Sequence, residues 1–85
     1  MKELVKKIAI ALVDHPEAVR VHVLQANGVT VFQLSTHPAD LGKVIGRDGR
    51  MAKAIRVLLE SFGARSQQRF ALEIVPEFAD PGATK

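Results

Sequence analysis

Glycines at positions 46 and 49 bracket a stretch, Gly46-Arg47-Asp48-Gly49, that interrupts a helical pattern in the middle of the chain. Before it, Leu41, Val44 and Ile45 give a short helix one inward side. Pro38 suits the first turn of that helix, and Asp40 suits the positive end of its dipole. After it, residues 50–62 read as a longer helix. At ~100° per residue, Met51, Ile55, Leu58 and Phe62 fall on one face, with Arg50, Lys53, Arg56 and Glu60 on the other. Gly63 is placed to stop it as a C-terminal cap. Two helices must therefore meet across a tight corner, and glycine at each end of the corner lets the backbone take angles that other residues avoid.

The rest of the pattern fits around that corner. Over residues 3–13, Leu4, Val5, Ile8, Ala11 and Leu12 follow the spacing of a buried helical stripe, and Pro16 ends the run. Val19, Val21 and Val23 alternate with Arg20 and His22, as in a half-buried strand. Asn27-Gly28 supplies the positive φ angles of a two-residue hairpin, and Val29 to Ser35 is the return strand. Phe70, Leu72 and Ile74 alternate as a third strand that Pro76 closes. The order is α-β-β-α-α-β. A chain of 85 residues is read as one domain over residues 1–76, with 77–85 a flexible tail.

Charge is uneven along this order. Residues 1–42 are balanced, residues 43–69 carry a net +5, and residues 70–85 carry −2. Positive charge is thus gathered around the glycine corner, the footprint expected of a surface that meets a polyanion. Other chemistries find little support. The chain has no cysteine, which excludes disulfides, thiolate catalysis and zinc-cysteine modules, and fits a reducing cytoplasm. His15, His22 and His37 lack ligand spacing, so no metal or other cofactor is expected. Ser35, Ser61 and Ser66 have no base-bearing motif beside them, and the corner is not a nucleotide-binding G-x-x-x-x-G-K-[ST] loop. The chain reads as a non-enzyme. The lysines and short apolar run at Ile8–Val13 fall short of a secretion signal, and no run approaches the ~20 apolar residues of a membrane span. A cytoplasmic protein without membrane insertion is expected. With no Tyr or Trp, and with Phe32, Phe62 and Phe70 expected in the core, bases cannot be read chiefly by stacking on aromatic side chains; only Phe78, in the tail, is expected to be exposed.

The corner itself has chemistry. Glycines leave no Cβ in the way of a nucleic-acid backbone, and the longer helix begins beside them with its unpaired N–H groups and positive dipole end. Arg47 in the corner, Lys43 one turn before it, and Arg50 and Lys53 after it add salt-dependent attraction to phosphate. In this setting Ile45-Gly46-Arg47-Asp48-Gly49 resembles the I-G-x-x-G signature of K-homology (KH) domains. The element order resembles the prokaryotic, type II form. The stretch Asp40-Leu-Gly-Lys-Val-Ile-Gly-Arg-Asp-Gly-Arg-Met-Ala-Lys-Ala-Ile-Arg56 is similar to the small bacterial RNA-binding proteins of the KhpA type.

That resemblance implies an α+β fold, a three-stranded mixed sheet with three helices on one face. It implies that single-stranded RNA or DNA lies in a groove between the helix pair and a neighbouring strand, about four nucleotides at a time. Gly46, Arg47, Asp48 and Gly49 would grip the backbone, and Lys43, Arg50 and Lys53 would help hold phosphates. Val44, Ile45 and Ala54, with part of the Val29–Leu34 strand, would form the apolar floor under the bases. It implies further a homodimer, or a heterodimer with a larger KhpB-like protein carrying its own KH domain, and roles in RNA chaperoning and post-transcriptional control of cell-envelope growth and cell shape. Two positions depart from the common KH pattern: Ala52 stands where many KH domains carry a large aliphatic residue, and Asp48 puts a negative charge in the gripping turn, which predicts modest affinity. Two other readings compete. A helix-turn-helix binder of duplex DNA would need base-reading side chains on residues 50–62, whose outer face is Arg, Lys, Arg and Glu. An assembly domain that has lost RNA binding takes some support from Asp48.

Overall fold

A computed structural model describes residues 1–75. Six main elements follow in order: α1 (Lys2–Leu12), β1 (Arg20–Ala26), β2 (Val29–Ser35), α2 (Leu41–Ile45), α3 (Arg50–Arg65) and β3 (Arg69–Val75). Short 3-10 turns at Pro16–Ala18, Pro38–Asp40 and Arg47–Gly49 link them. The tail expected over 77–85, with Phe78, lies outside the described residues.

The sheet is built around β2. Asn27 and Gly28 both take positive φ, 53° and 78°, and fold β1 back on β2 in antiparallel register with Val23 opposite Phe32. On its other side β2 pairs in parallel with β3, Phe32 opposite Leu72, so the order is β1-β2-β3. This mixed sheet with its three helices has the topology of a type II KH fold.

Alternation along the strands puts Val21, Phe32, Leu34 and Leu72 on one face, and all four are buried. The helices cover that face, α1 against β1 and β2 and α3 against β3, and Val5, Ala9, Val19, Val44, Ile55 and Leu59 complete the core. Phe70 meets Phe32 edge to face at 5.5 Å. Each fully buried Val or Leu of this cluster stabilises the fold by about 1.5–3 kcal/mol. On the half-covered edge strand the expected alternation stops early: Val21 is buried, but Val23, on the same face, is 41% exposed.

The longer helix differs from expectation in its face and its end. The buried stripe is Ala52, Ile55, Leu59 and Gly63 rather than Met51, Ile55, Leu58 and Phe62. Leu58 and Phe62 are exposed, at 46% and 38%, as is Val57. Small residues line the stripe because α3 approaches the sheet closely. A Cβ on Gly63 would stand 2.7 Å from the Gln68 carbonyl oxygen, so this glycine is a contact point inside the helix and not its cap. The helix runs on to Arg65, and Gln67 takes the left-handed position at φ 57°. Gln68 N–H then reaches back to Gly63 O at 2.7 Å and Gln67 N–H to Ala64 O at 3.3 Å, the bond pair of a Schellman ending.

Candidate nucleic-acid interface

Helix α2 is only five residues long, too short to stand without support at its ends. Its tail is fixed by the backbone. Gly46 N–H bonds to Gly42 O at 2.8 Å and the chain then turns through φ 80°, ψ 170° at Gly46, a region essentially reserved for glycine. A Cβ there would lie 2.7 Å from Met51 N and from Met51 Cβ. Asp48 and Gly49 both take left-handed angles, φ 57° and 75°, and Gly49 N–H closes the corner on Gly46 O at 3.1 Å. Gly49 differs from Gly46 in its surroundings: a Cβ on it would meet nothing within 4 Å. The corner is thus pressed against α3 at its first glycine and open to solvent at its second.

The side chains of Arg47 and Asp48 are exposed, and among the described residues no hydrogen bond or ion pair holds either. Arg50, Lys53 and Ala54 are exposed on the first turns of α3. Steps of three residues move the positive stripe round the helix by ~60° at a time, from Arg50 to Lys53 to Arg56. Arg56 ends at β3, its Nε donating to Leu72 O at 3.5 Å. This arginine was not among the expected site residues, although its spacing from Arg50 and Lys53 could have marked it.

Three expected positions stand differently. Val44 has no exposed surface and belongs to the core, so it supports the corner from beneath. Ile45 is half-buried. The strand beside α3 is β3, not the Val29–Leu34 strand, which is central and has Phe32 and Leu34 buried under the helices. Lys43 is also committed in part, its ammonium lying 3.5 Å from Asp14 Oδ2 and 3.9 Å from Asp40 Oδ1.

The head of α2 is fixed by side chains. Asp40 is 1% exposed, and its Oδ2 accepts from His15 N–H at 2.9 Å and pairs with His15 Nδ1 at 3.0 Å. Burial alone would raise the Asp40 pKa; the bonds from the His15 ring and from the His15 and Asp14 backbones, with the charge of His15, outweigh it and hold the carboxyl below its ordinary 3.8. His15 stacks on His37 with ring centroids 4.1 Å apart and planes 16° from parallel. His37 Nδ1 in turn accepts from Ala39 N–H at 3.0 Å, capping the turn that leads into α2. Sequence reading placed Asp40 only near a helix dipole and gave the histidines no role, since 22 positions separate His15 from His37.

Among the described residues no group of three His, Cys, Asp or Glu side chains is placed to hold a metal ion, and no helix is long and apolar enough to cross a membrane. The family model described as KhpA/KhpB, KH domain, matches residues 2–74. A protein named RNA-binding protein KhpA from Caldanaerobacter subterraneus subsp. tengcongensis is 44% identical over 75 residues, which is 88% of this chain and all of that one. The protein of the same name from Treponema pallidum is 46% identical over 74 residues, 87% of this chain and 92% of its own. That from Chlamydia pneumoniae is 44% identical over 77 residues, 91% and 99% of the two chains. All three carry the name of an RNA-binding protein, not of an enzyme.

Proposed function

The chain belongs to the KhpA/KhpB family of KH domains, and from that premise we propose that it binds single-stranded RNA through the Gly46–Gly49 corner. The observation that carries the reading is the corner itself: a backbone bent by positive φ at Gly46, Asp48 and Gly49, with open space over Gly49 and the unengaged Arg47 side chain beside it. A phosphodiester backbone can lie against such a surface without meeting a Cβ, while Arg47, Arg50 and Lys53 neutralise its phosphates. About four nucleotides fit a grip of this kind. Bases would rest towards Ala54, Arg56 and the free edge of β3; DNA single strands share the features gripped.

A footprint this short leaves little room for specificity, so the working unit is read as a pair. The exposed Val57, Leu58 and Phe62 on α3 offer an apolar surface for a second copy or for the KH domain of a larger KhpB-like partner. Residues 1–76 form the binding domain in this reading, acting in the cytoplasm as an RNA chaperone or post-transcriptional regulator of cell-envelope growth and cell shape.

Fluorescence anisotropy with a short single-stranded RNA, on the wild type and on Arg47→Asp, tests it. The variant keeps both glycines and places two carboxylates against the phosphates, so binding should be lost while the circular dichroism spectrum is unchanged. For the wild type, ~3 neutralised phosphates give log K a slope near −2 against log salt. Equal binding by both proteins, or by neither, together with concentration-dependent self-association, would favour the second reading, an assembly domain. Asp48 in the corner and the apolar strip on α3 are what support that alternative.

A further inference from the structure

The head of α2 gathers titratable groups from two distant stretches, Asp14 and His15 after α1 and His37 and Asp40 before α2. Their contacts depend on where protons sit. His37 Nδ1 accepts from Ala39 N–H, so that nitrogen is bare. His15 Nδ1 faces the Asp40 carboxylate and so carries a proton. With the rings 4.1 Å apart, a neutral His37 is compatible with either form of His15, but two charged rings are not comfortable in the stack.

A proton on His37 Nδ1 would have two effects. It would take away the acceptor of the Ala39 N–H, and it would set a second cation against His15. Among the described residues no carboxylate pairs with His37: Asp40 is taken up by His15 and the Asp14 backbone, while Lys43 approaches both Asp14 and Asp40. Besides this cap, the turn Pro38–Asp40 is held by Asp40 N–H on His37 O at 2.8 Å, by Leu41 N–H on Pro38 O and by the bonds from His15 to Asp40, and the helix behind it is five residues long. That helix ends at Gly46.

We propose that the His15–His37 stack is a proton-sensitive catch on the corner, so that mild acidification uncaps the turn before α2, loosens the corner and weakens RNA binding. This rests on the reading of the corner as the RNA grip. Histidine is the side chain that proteins ordinarily use for such proton-sensitive devices. The sign is diagnostic. Simple electrostatics makes a protein that gains protons bind a polyanion more tightly at low pH; the catch makes it bind less tightly.

The test is anisotropy with a labelled eight-nucleotide single-stranded RNA at pH 7.5 and 5.5 and fixed ionic strength, on the wild type and on His37→Asn. Asparagine keeps an oxygen to accept from Ala39 N–H and does not titrate. Wild-type affinity should fall by about threefold to tenfold on acidification, the worth of one cap, and the variant's should stay level or rise. A second readout needs no RNA: the hydrogen-exchange protection factor of Ala39 N–H should drop at pH 5.5 in the wild type and hold in His37→Asn. Affinity that is flat or rising in the wild type, or an equal fall in both proteins, overturns the proposal. If neither protein binds RNA at either pH while Ala39 protection still falls, the RNA reading of the corner fails and the catch stands as a switch on the α2 turn.

Discussion

The two ends of α2 are held by opposite means. At its head, Asp40 is buried and bonded by backbone and ring donors of a distant loop, and the rings of His15 and His37 lie stacked beside it. At its tail, the corner Gly46–Gly49 is shaped by backbone angles, and its two side chains are engaged with nothing else among the described residues. The difference shows how a small domain can fix both ends of a short helix and still leave the side chains of one end uncommitted. Anchoring is done where side chains can be used up, and the other end is fixed by glycine geometry, which leaves Arg47 free for the proposed contact with phosphate.

Four substitutions would break or sharpen this contrast. Gly46→Ala attacks the tail where backbone and packing coincide. A glycine-only conformation and a Cβ 2.7 Å from Met51 N together should cost about 3–4 kcal/mol in urea unfolding, a large share of what a domain this size has, and RNA binding should go with it. The head should instead fail with acid. Because the folded-state pKa of Asp40 lies below 3.8, the unfolded chain binds more protons; the stability it contributes is complete above about pH 5 and is lost as pH falls through 3.8 and then the folded value. Asp40→Asn should lower the melting temperature at pH 7 and flatten the fall of stability between pH 5 and 3, as thermal melts across that range would reveal.

Gly49→Ala tests the corner where it faces open space. Only the left-handed angle is penalised, so about 1 kcal/mol of stability should be lost, while RNA affinity should drop by more than that, since the new methyl stands where a nucleic-acid backbone would approach. The smallest effect belongs to Asp48→Asn. Asparagine accepts the φ of 57°, so unfolding free energy should move by less than about 0.5 kcal/mol, and removal of the negative charge should tighten RNA binding by about twofold to threefold in anisotropy titrations.

Much of this was legible in the residues. β2 runs from Val29 to Ser35 as its composition suggests, the Asn27-Gly28 hairpin has the angles its sequence demands, and Gly46 and Gly49 mark a real interruption. The face of α3 was misread because large apolar residues draw attention; the packing distance at the sheet selects Ala52 and Gly63 instead, and leaves Leu58 and Phe62 outside. The head of α2 was invisible for another reason. His15, His37 and Asp40 carry no local spacing, and only the passage of the chain after α1 beside the turn before α2 makes them neighbours. Lys43 shows the same limit, since its partner Asp14 lies 29 positions earlier in the chain.

The parallel ladder between β2 and β3 sets the order in which this chain can assemble. The β1–β2 hairpin closes over two residues, and α3 returns into β3 through the Gly63–Gln68 contact, so both pieces are local and can form in microseconds. The ladder joins residues some forty positions apart, Gln33 bonding Glu73 at 2.6 Å, and α2 with its corner lies inside the loop thus closed. Loop closure on that scale is the entropic hurdle of the fold. The corner proposed to grip RNA therefore takes its final shape only with the last strand.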